Sequence, residues 1–563
     1  MFLLSHLIGS CNTINQSELV INESQSQIIH DSDSQPIPVD YIIYNAKIYT
    51  VDSSFSIVES MAIKDGRILA TGTNSLITRL YSSNHSKNMQ GKVIFPGFID
   101  AHSHFISYGE GLVSRADLVG TNSFDEIIIR LKEFEQEYQD KWLIGRGWDQ
   151  NDWEIKVFPT KEKLDELWPD KPVYLTRIDG HAALVNSKAL ILAGITKNTK
   201  ILGGEIILKN GKPSGVLVDN AMDLVRNLMP SISKDLKRKA IALAEKECFS
   251  KGLTTVCDAG IEFKEVQLLD ELQKNDELKI RIYAMLTPTK ENLEKMITKG
   301  PFKTDRLNVR SIKLYADGAL GSRGACLIHE YHDKPNWKGM MLSSQAYYDS
   351  LCLLAEKYGY QVNTHAIGDS ANRVMLHIYA KYLKGKNDKR WRIEHAQLVH
   401  PKDFSLFGKY SIIPSVQPTH ATSDMYWADE RLGEERVKYA YAYEKLRQEL
   451  GWIPLGTDFP IEKIDPLLTF YAAVVRKDLN DYPAGGFQME NALSRENALK
   501  GITIWAAKSA FEEHEKGSLE MGKLADFVVL NQDIMEVADI LIPQTKVLKC
   551  FVNGEEVFNR IDD

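Results

Sequence analysis

Both ends of the chain carry short apolar runs that are separated by turn residues. The runs cover residues 41–44, 47–51, 60–63, 526–530, 547–552 and 555–558. Asn553-Gly554 stands between the last two runs, and Asn-Gly in that position is a strong hairpin signal. Two strand-rich ends around a long middle predict one small β-sandwich domain, built from residues 39–92 together with 516–563.

The middle of the chain alternates strand-like and helix-like segments. The strand-like segments cover residues 92–100, 253–258, 280–285, 309–314, 361–365, 392–395, 412–416 and 453–458. Residues 237–252 have the apolar face of a helix. Strands that alternate with helices form βα units and a parallel sheet. The pattern predicts an α/β protein with a (β/α)8 barrel over residues 93–515.

The segment from about 115 to 235 is too long for a single connection between a strand and the next helix. It contains two aromatic and polar stretches, at 142–153 and 172–181. Connections of this length in compact domains usually form structure of their own. We expect an inserted subdomain that folds over the barrel mouth.

Residues 1–11 resemble a lipoprotein signal segment, because a short apolar run ends in small residues before Cys11. No Lys or Arg precedes the run, and the run is shorter than usual, so a truncated start and a disordered cytoplasmic N-terminus remain alternatives. Residues 12–38 are rich in Ser, Asn and Gln and predict a disordered tether. No later apolar stretch is long enough to span a bilayer, so we expect membrane attachment only through a lipid on Cys11.

Composition narrows the classes of partner. The 563 residues are 44% hydrophobic and 26% charged, with a formal net charge of −8. The chain has no cluster of basic residues of the kind that follows a phosphate backbone, so nucleic acid is not an expected partner. The six cysteines include no C-x-x-C pair, which argues against a disulfide framework and a zinc knuckle. We expect the five after Cys11 to be small buried residues.

Five residues with metal-binding side chains lie at the ends of predicted strands. His102 and His104 are two apart, so on an extended strand their imidazoles point the same way and can hold one cation. His365, His395 and Asp458 each end a later strand. Because strand ends build the active site of a (β/α)8 barrel, all five are expected to converge at its mouth.

The order of these residues resembles the amidohydrolase superfamily. The phrases that narrow the resemblance to its YtcJ-like branch lie at residues 96–104, 147–149, 179–181, 313–323 and 364–369. That branch includes N-substituted formamide deformylases, and the similarity runs from about residue 40 to the end. The resemblance implies a metal-dependent hydrolase.

The resemblance also implies a role for Lys313. The matching lysine is carboxylated on its amine, and the carbamate bridges two metal ions. One metal ion would be held by His102, His104, Asp458 and the carbamate, and the other by the carbamate, His365 and His395. We expect two zinc ions, with manganese or iron as alternatives. A lysine that merely extends from the strand end to solvent is the alternative for Lys313.

Asp458 would also act as the general base and acid, taking a proton from water and passing it to the leaving amine. His181 is a candidate hydrogen-bond donor to the substrate carbonyl oxygen. Weaker candidates for substrate binding are Trp148, Asp149, Asp317, Arg323 and His420. Structural roles compete with each of these, and Arg323 could pair with Asp317 instead of a substrate carboxylate.

The expected reaction is hydrolysis of a C–N bond in a small-molecule amide, formamide or cyclic amide. The same site would serve an ester or a carbamate, and a non-catalytic regulatory or binding protein on this fold is the third hypothesis. A homodimer is compatible with the sequence.

Overall fold

The computed structural model describes residues 35–138 and 140–560. The lipoprotein segment with Cys11 and most of the tether lie outside the described residues, and both stay predictions.

The core of the molecule is a parallel barrel, as the strand pattern predicted. Its strands, numbered β1 to β7 here, are Phe98–Ser103, Leu253–Ile261, Arg281–Leu286, Leu307–Tyr315, Gln361–Ala366, Arg392–His395 and Ile413–Ser415. Each is parallel to the next. A short eighth segment closes the barrel, because Leu455 pairs with Val416 and accepts a hydrogen bond from the Ala101 N–H. A short strand, Phe302–Lys303, pairs antiparallel with β4.

Helices surround the barrel and bury apolar faces against it. The helix before β2, Lys234–Ser250, begins where the Ser233 hydroxyl accepts a hydrogen bond from the Leu236 N–H, and it buries Ile241 and Cys248. The helices of this layer are Phe105–Ser114, Lys234–Ser250, Phe263–Lys274, Lys290–Lys295, Gln345–Tyr358, Asp369–Leu383, Phe404–Tyr410, Pro418–Asp424, Ala428–Leu432, Glu434–Val437, Tyr443–Leu450, Pro466–Val475, Arg495–Gly501 and Ile504–Ser509.

Two sheets lie beside the barrel; the first is built from the N-terminal region alone, and the second combines strands from both chain ends. One contains Arg67–Gly72, Ser60–Lys64, Tyr41–Tyr44 and Ser86–Asn88. The other contains Glu555–Asn559, Val547–Val552, Phe527–Leu530, Val93–Pro96, Lys47–Tyr49 and Ile57–Val58. Ile37–Pro38 pairs with Tyr81–Ser82, and Asn74–Leu80 is helical. The hairpin at Asn553-Gly554 is confirmed, with φ of 52° and 74° at these residues.

The predicted single strand over residues 92–100 is two strands that meet at Gly97. Val93–Pro96 pairs with Phe527–Leu530 in the six-stranded sheet beside the barrel, whereas Phe98–Ser103 is β1 of the barrel. A Cβ atom on Gly97 would lie 2.3 Å from the Thr254 Oγ1, so only glycine fits where the chain passes from one sheet to the other.

The insertion has its own six-stranded sheet and its own apolar core. The strands are Ala116–Asp117, Leu143–Trp148, Val173–Arg177, Ala182–Val185, Gly204–Lys209 and Lys212–Asp219. The helices are Phe124–Glu137, Glu162–Leu167, Ser187–Leu192 and Asp223–Arg226. Trp148, Trp153 and Trp168 pack together with aliphatic residues in the core.

Within residues 35–138 and 140–560, no helix is both long and apolar enough to cross a bilayer. Cys248, Cys257, Cys352 and Cys550 are buried as expected, while Cys326 is only partly buried.

Candidate metal centre

The side chains of His102, His104 and Asp458 meet at the carboxyl end of the barrel. The Nε2 atoms of His102 and His104 lie 3.5 Å and 3.3 Å from the same atom, Asp458 Oδ1. Residues 102 and 104 reach this point from the end of β1, and Asp458 reaches it from the closing segment, where its N–H donates to the His102 carbonyl oxygen at 2.8 Å. Two imidazoles and one carboxylate oxygen therefore face each other.

His365 and His395 join this group from β5 and β6. Their ring centroids are 4.5 Å apart, and the His395 ring is 5.0 Å from that of His102. Ligand atoms of His102, His395 and Asp458 all lie within 4.8 Å of one another. The structure thus brings all four strand-end histidines and the aspartate to one mouth.

Lys313 is at the centre of the cluster. Its side chain is buried on β4, and its Nζ lies 3.1 Å from the His102 Nε2 and 4.8 Å from the centre of the Tyr315 ring. Burial lowers the pKa of the Lys313 amine to about 8, against the opposing charges of Glu394 and Asp458. A buried lysine with a lowered pKa is more easily deprotonated than one that extends to solvent.

The electrostatics favour neutral imidazoles and an ionised carboxylate. Burial lowers the pKa of His102, and it lowers the pKa of His365 and His395 well below the usual value. Burial alone would raise the pKa of Asp458, but the neighbouring imidazoles, beginning with His104, hold it below its usual value. Neutral imidazole and ionised carboxylate are the forms that bind a metal ion.

Hydrogen bonds from the Nδ1 atoms to oxygen acceptors fix the orientation of three rings. Nδ1 of His102 lies 2.7 Å from the Glu394 Oε2, Nδ1 of His104 lies 2.9 Å from the Ala259 carbonyl oxygen, and Nδ1 of His395 lies 2.6 Å from the Gln417 Oε1. Partners of this kind orient the histidine ligands of metal sites. Sequence reasoning missed Glu394 and Gln417; the available signal was a charged residue inside the buried strand Arg392–His395.

Asp100 holds the closing segment against β1. Its carboxylate accepts hydrogen bonds from the Thr457 hydroxyl at 2.6 Å and the Thr457 N–H at 3.0 Å. A Cβ atom on Gly456 would lie 2.6 Å from the His102 backbone nitrogen, so the closing segment and β1 pass close to each other there. Asp458 and His395 have φ of 63° and 71°, in the left-handed region that non-glycine residues adopt uncommonly.

Two further histidines lie at the mouth. His181, from the insertion, has its ring centroid 4.8 Å from that of His365. Burial alone would lower the pKa of His181, but the Asp219 carboxylate, 2.7 Å from its Nδ1, raises it. The Nε2 of His420 lies 3.6 Å from the Asp458 Oδ2.

Trp148 is buried in the core of the insertion, contrary to its prediction as a substrate-binding residue, whereas substrate binding by Asp149 stays a prediction. The Trp148 side chain is 0% exposed in the core of the insertion, and its indole N–H donates to the Leu175 carbonyl oxygen at 2.8 Å. Asp149 pairs with the buried Arg177. The aromatic phrase at 147–149 therefore stabilises the insertion.

Asp317 and Arg323 are also used structurally. The buried Asp317 carboxylate accepts three backbone hydrogen bonds of 2.7 to 3.0 Å, from the N–H groups of Cys326, Ile367 and Gly368. Arg323 pairs with Asp333 at 2.6 Å and not with Asp317. Asp317 Oδ1 nevertheless lies 3.9 Å from the His365 Nε2, so Asp317 borders the cluster, and substrate binding by Asp317 and Arg323 stays a prediction.

A cavity of about 400 Å³ lies beside the mouth, between the insertion and the helix Pro418–Asp424. Trp153, Ser423 and Trp427 are among its lining residues. Ser423 is one helical turn beyond His420, so the cavity lies close to the cluster.

The residues present fit a divalent metal ion. Within the described part of the chain, Asp458 Oδ1 is buried and makes no hydrogen bond, although it faces two imidazole nitrogens. Two ligands about 2.1 Å from a tetrahedral zinc ion are about 3.4 Å apart, which matches the distances of 3.3 and 3.5 Å around this oxygen. Imidazole and carboxylate are also ligand types that zinc accepts.

A (β/α)8 barrel with candidate histidine and aspartate ligands at its strand ends is typical of metal-dependent hydrolases of the amidohydrolase type. Residues 88–558 match the sequence model of the amidohydrolase family, and this chain belongs to that family. The family resemblance predicted from the strand-end motifs is confirmed.

Similar proteins span nearly the whole chain. Protein LONG AFTER FAR-RED 3 of Arabidopsis thaliana is 34% identical over 93% of this chain and 92% of its own length. The putative amidohydrolase YtcJ of Bacillus subtilis is 32% identical over 91% and 98%, and the N-substituted formamide deformylase of Arthrobacter pascens is 26% identical over 92% and 97%. A crystal structure of a metal-dependent hydrolase from Pyrococcus horikoshii is 28% identical and superposes with a TM-score of 0.73 over 89% of this chain and 99% of that one.

Proposed function

We propose that this chain hydrolyses a carbon–nitrogen bond in a small-molecule amide, formamide or cyclic amide with the help of two divalent metal ions. Family membership supports metal-dependent hydrolysis. The similarity to an N-substituted formamide deformylase supports the C–N bond. The observation that carries the proposal is the buried Asp458 Oδ1, which makes no hydrogen bond within the described residues and faces the Nε2 atoms of His102 and His104.

Six residues would hold the metal ions. One ion would be held by His102, His104, Asp458 and carboxylated Lys313, and the other by carboxylated Lys313, His365 and His395. Zinc suits this set of imidazole and carboxylate ligands, while manganese and iron accept the same ligands. Divalent ions bound there would lower the pKa of a bound water and polarise a carbonyl group.

Carboxylation of Lys313 is part of the proposal. The unprotonated amine attacks carbon dioxide, and the resulting carbamate carries one negative charge after the nitrogen loses a proton. Burial, the pKa of about 8 and the 3.1 Å contact with the His102 Nε2 support this chemistry at Lys313. A carbamate would supply two further oxygen ligands between the imidazoles of β1 and those of β5 and β6.

The remaining chemistry belongs to three residues of the chain. The Asp458 carboxylate accepts a proton from the attacking water and returns it to the leaving nitrogen. With a proton on Nε2 in addition to the Nδ1–Asp219 hydrogen bond, His181 donates from Nε2 to the carbonyl oxygen as negative charge develops there. His420 lies beside the Asp458 Oδ2 and contacts the substrate on that side.

Metal analysis combined with a substrate screen tests the proposal. The purified full chain should contain close to two metal ions and hydrolyse some N-formyl or N-acetyl amines. Asp458→Asn should lower kcat by about 10²- to 10⁴-fold, the range for general acid–base catalysis. The control is Asp333→Asn, outside the cluster. A chain without bound metal would contradict the metal-dependent reaction, and turnover of matched esters but not of amides would contradict the C–N bond.

A further inference from the structure

The insertion carries a histidine–aspartate pair to the barrel mouth. His181 directly precedes the strand Ala182–Val185, and Asp219 ends the antiparallel strand Lys212–Asp219. The Asp219 N–H donates to the His181 carbonyl oxygen at 2.9 Å, and the His181 Nδ1 lies 2.7 Å from the Asp219 Oδ1. One backbone hydrogen bond and one side-chain hydrogen bond therefore join His181 to Asp219.

The environment and the backbone conformation of Asp219 are energetically unfavourable. Its side chain is 0% exposed, and within the described residues its Oδ2 is buried and makes no hydrogen bond. Its backbone has φ of 51° and ψ of −127°, which non-glycine residues rarely adopt. Strain and an unpaired buried oxygen at one residue are more typical of a functional constraint than of a packing optimum.

The barrel leaves space for this carboxylate. Gly318 and Gly324 belong to the loop that follows β4, and a Cβ atom on either would lie 2.3 Å from the Asp219 Oδ2. Any larger residue at these positions would displace the carboxylate or the loop. Two glycines from the barrel thus accommodate one aspartate from the insertion, in the same loop that begins beyond Lys313.

The pairing determines which atom of His181 faces the cluster. Nδ1 is committed to Asp219, and the ring lies 4.8 Å from that of the candidate ligand His365, between centroids. A histidine that uses one ring nitrogen for a carboxylate presents the other in a fixed direction. The Nε2 is therefore the atom of His181 that is available to a substrate.

We infer that Asp219 is a positioning residue, which orients His181 so that its Nε2 meets the carbonyl oxygen of the substrate. The inference rests on the proposed function. It assigns a role in the reaction to the insertion, because the aligning carboxylate, the histidine and the strand pair that joins them all belong to residues 177–219.

Kinetics of Asp219→Ala, His181→Ala and the double variant test the inference. Asp219→Ala should lower kcat by roughly 10²- to 10³-fold, as expected when a donor to a developing oxyanion is lost, with little change in KM. The double variant should be no slower than His181→Ala alone, because Asp219 acts only through His181. Asp223→Ala, an exposed change in the same insertion, is the matched control.

Losses that multiply in the double variant would overturn the inference, and so would loss of bound metal in Asp219→Ala, because both indicate a general structural role. A second measurement does not need a substrate. In a crystal structure of Asp219→Ala, the His181 ring should leave its wild-type orientation. An unchanged ring would overturn the inference even in an active enzyme, whereas a reoriented ring in a chain that turns over no amide would count only against the proposed function.

Discussion

The barrel mouth and the insertion above it use polar and aromatic residues in different ways. At the mouth, His102, His365 and His395 come from three different strands, and the His395 ring lies 4.5 to 5.0 Å from the other two rings, between centroids. In the insertion, Trp148 and Asp149 come from one strand and its following turn, and they serve the core and the ion pairs of the insertion itself. The closed sheet determines the positions of the mouth histidines, whereas local packing determines the positions of Trp148 and Asp149.

The difference shows in which part of the chain a sequence motif predicts the location of its side chains. The strands of a closed parallel barrel all end on one rim, so the fold itself fixes the location of a histidine at a strand end. A segment of more than a hundred residues with its own core has no such constraint. His181 reaches the mouth from the insertion, while Trp148, in a phrase just as distinctive, is fully buried.

The largest effect is expected from a change at the rim. His102→Ala removes an imidazole that faces both Lys313 and Asp458. If the bound ions lower the activation barrier by about 5 kcal/mol, loss of one site lowers kcat/KM by roughly 10⁴-fold. Metal content per chain and kcat/KM on the best amide measure this effect, and unfolding should stay cooperative.

His514→Ala is the matched control, because the His514 side chain is 91% exposed and lies outside the cluster. It should keep both the metal and the activity. Full activity in His102→Ala would show that the rim histidines do not form the reaction centre.

A change in the core of the insertion should affect stability rather than the metal ions. Trp148→Ala removes a fully buried indole and should cost about 3–5 kcal/mol of folding free energy. Hydrogen exchange should accelerate in Leu143–Trp148 and Val173–Arg177 but not in the barrel strand Gln361–Ala366.

Trp148→Phe is the control for ring size and should cost clearly less than Trp148→Ala. If Trp148→Ala instead kept full stability and raised KM for one class of amide, Trp148 would be a substrate contact, and the contrast between rim and insertion would fail.

Much of the barrel and its rim could be predicted from the sequence. Alternating strand and helix patterns located the strands, and the rule that strand ends carry chemistry selected His102, His104, His365, His395 and Asp458. The break at Gly97 could not be predicted, because residues 92–100 form one continuous apolar run. The close approach of Thr254, distant in sequence, shows only in the structure why the residue at the break is glycine.

The residues that support the site were harder to find. Glu394 and Gln417 act through the Nδ1 atoms of His102 and His395, and these contacts depend on the packing of neighbouring strands rather than on spacing in the chain. Asp219 pairs with His181 across 38 residues of the insertion. Sequence patterns locate the ends of strands, but they do not show which side chains meet across a sheet.

The smallest effect is expected from Arg323, which lies between the two regions. Arg323→Gln removes a partly exposed ion pair with Asp333, worth about 0–1 kcal/mol. Asp333 keeps a second partner, Arg431, at 2.5 Å, and the Arg323 carbonyl oxygen still accepts the Trp337 indole N–H, so little else is lost. Thermal unfolding and KM for a pair of amides, with and without a carboxylate, should both stay close to wild type. A KM that rises only for the carboxylate-bearing amide would restore Arg323 as a substrate contact and would extend the site beyond the rim.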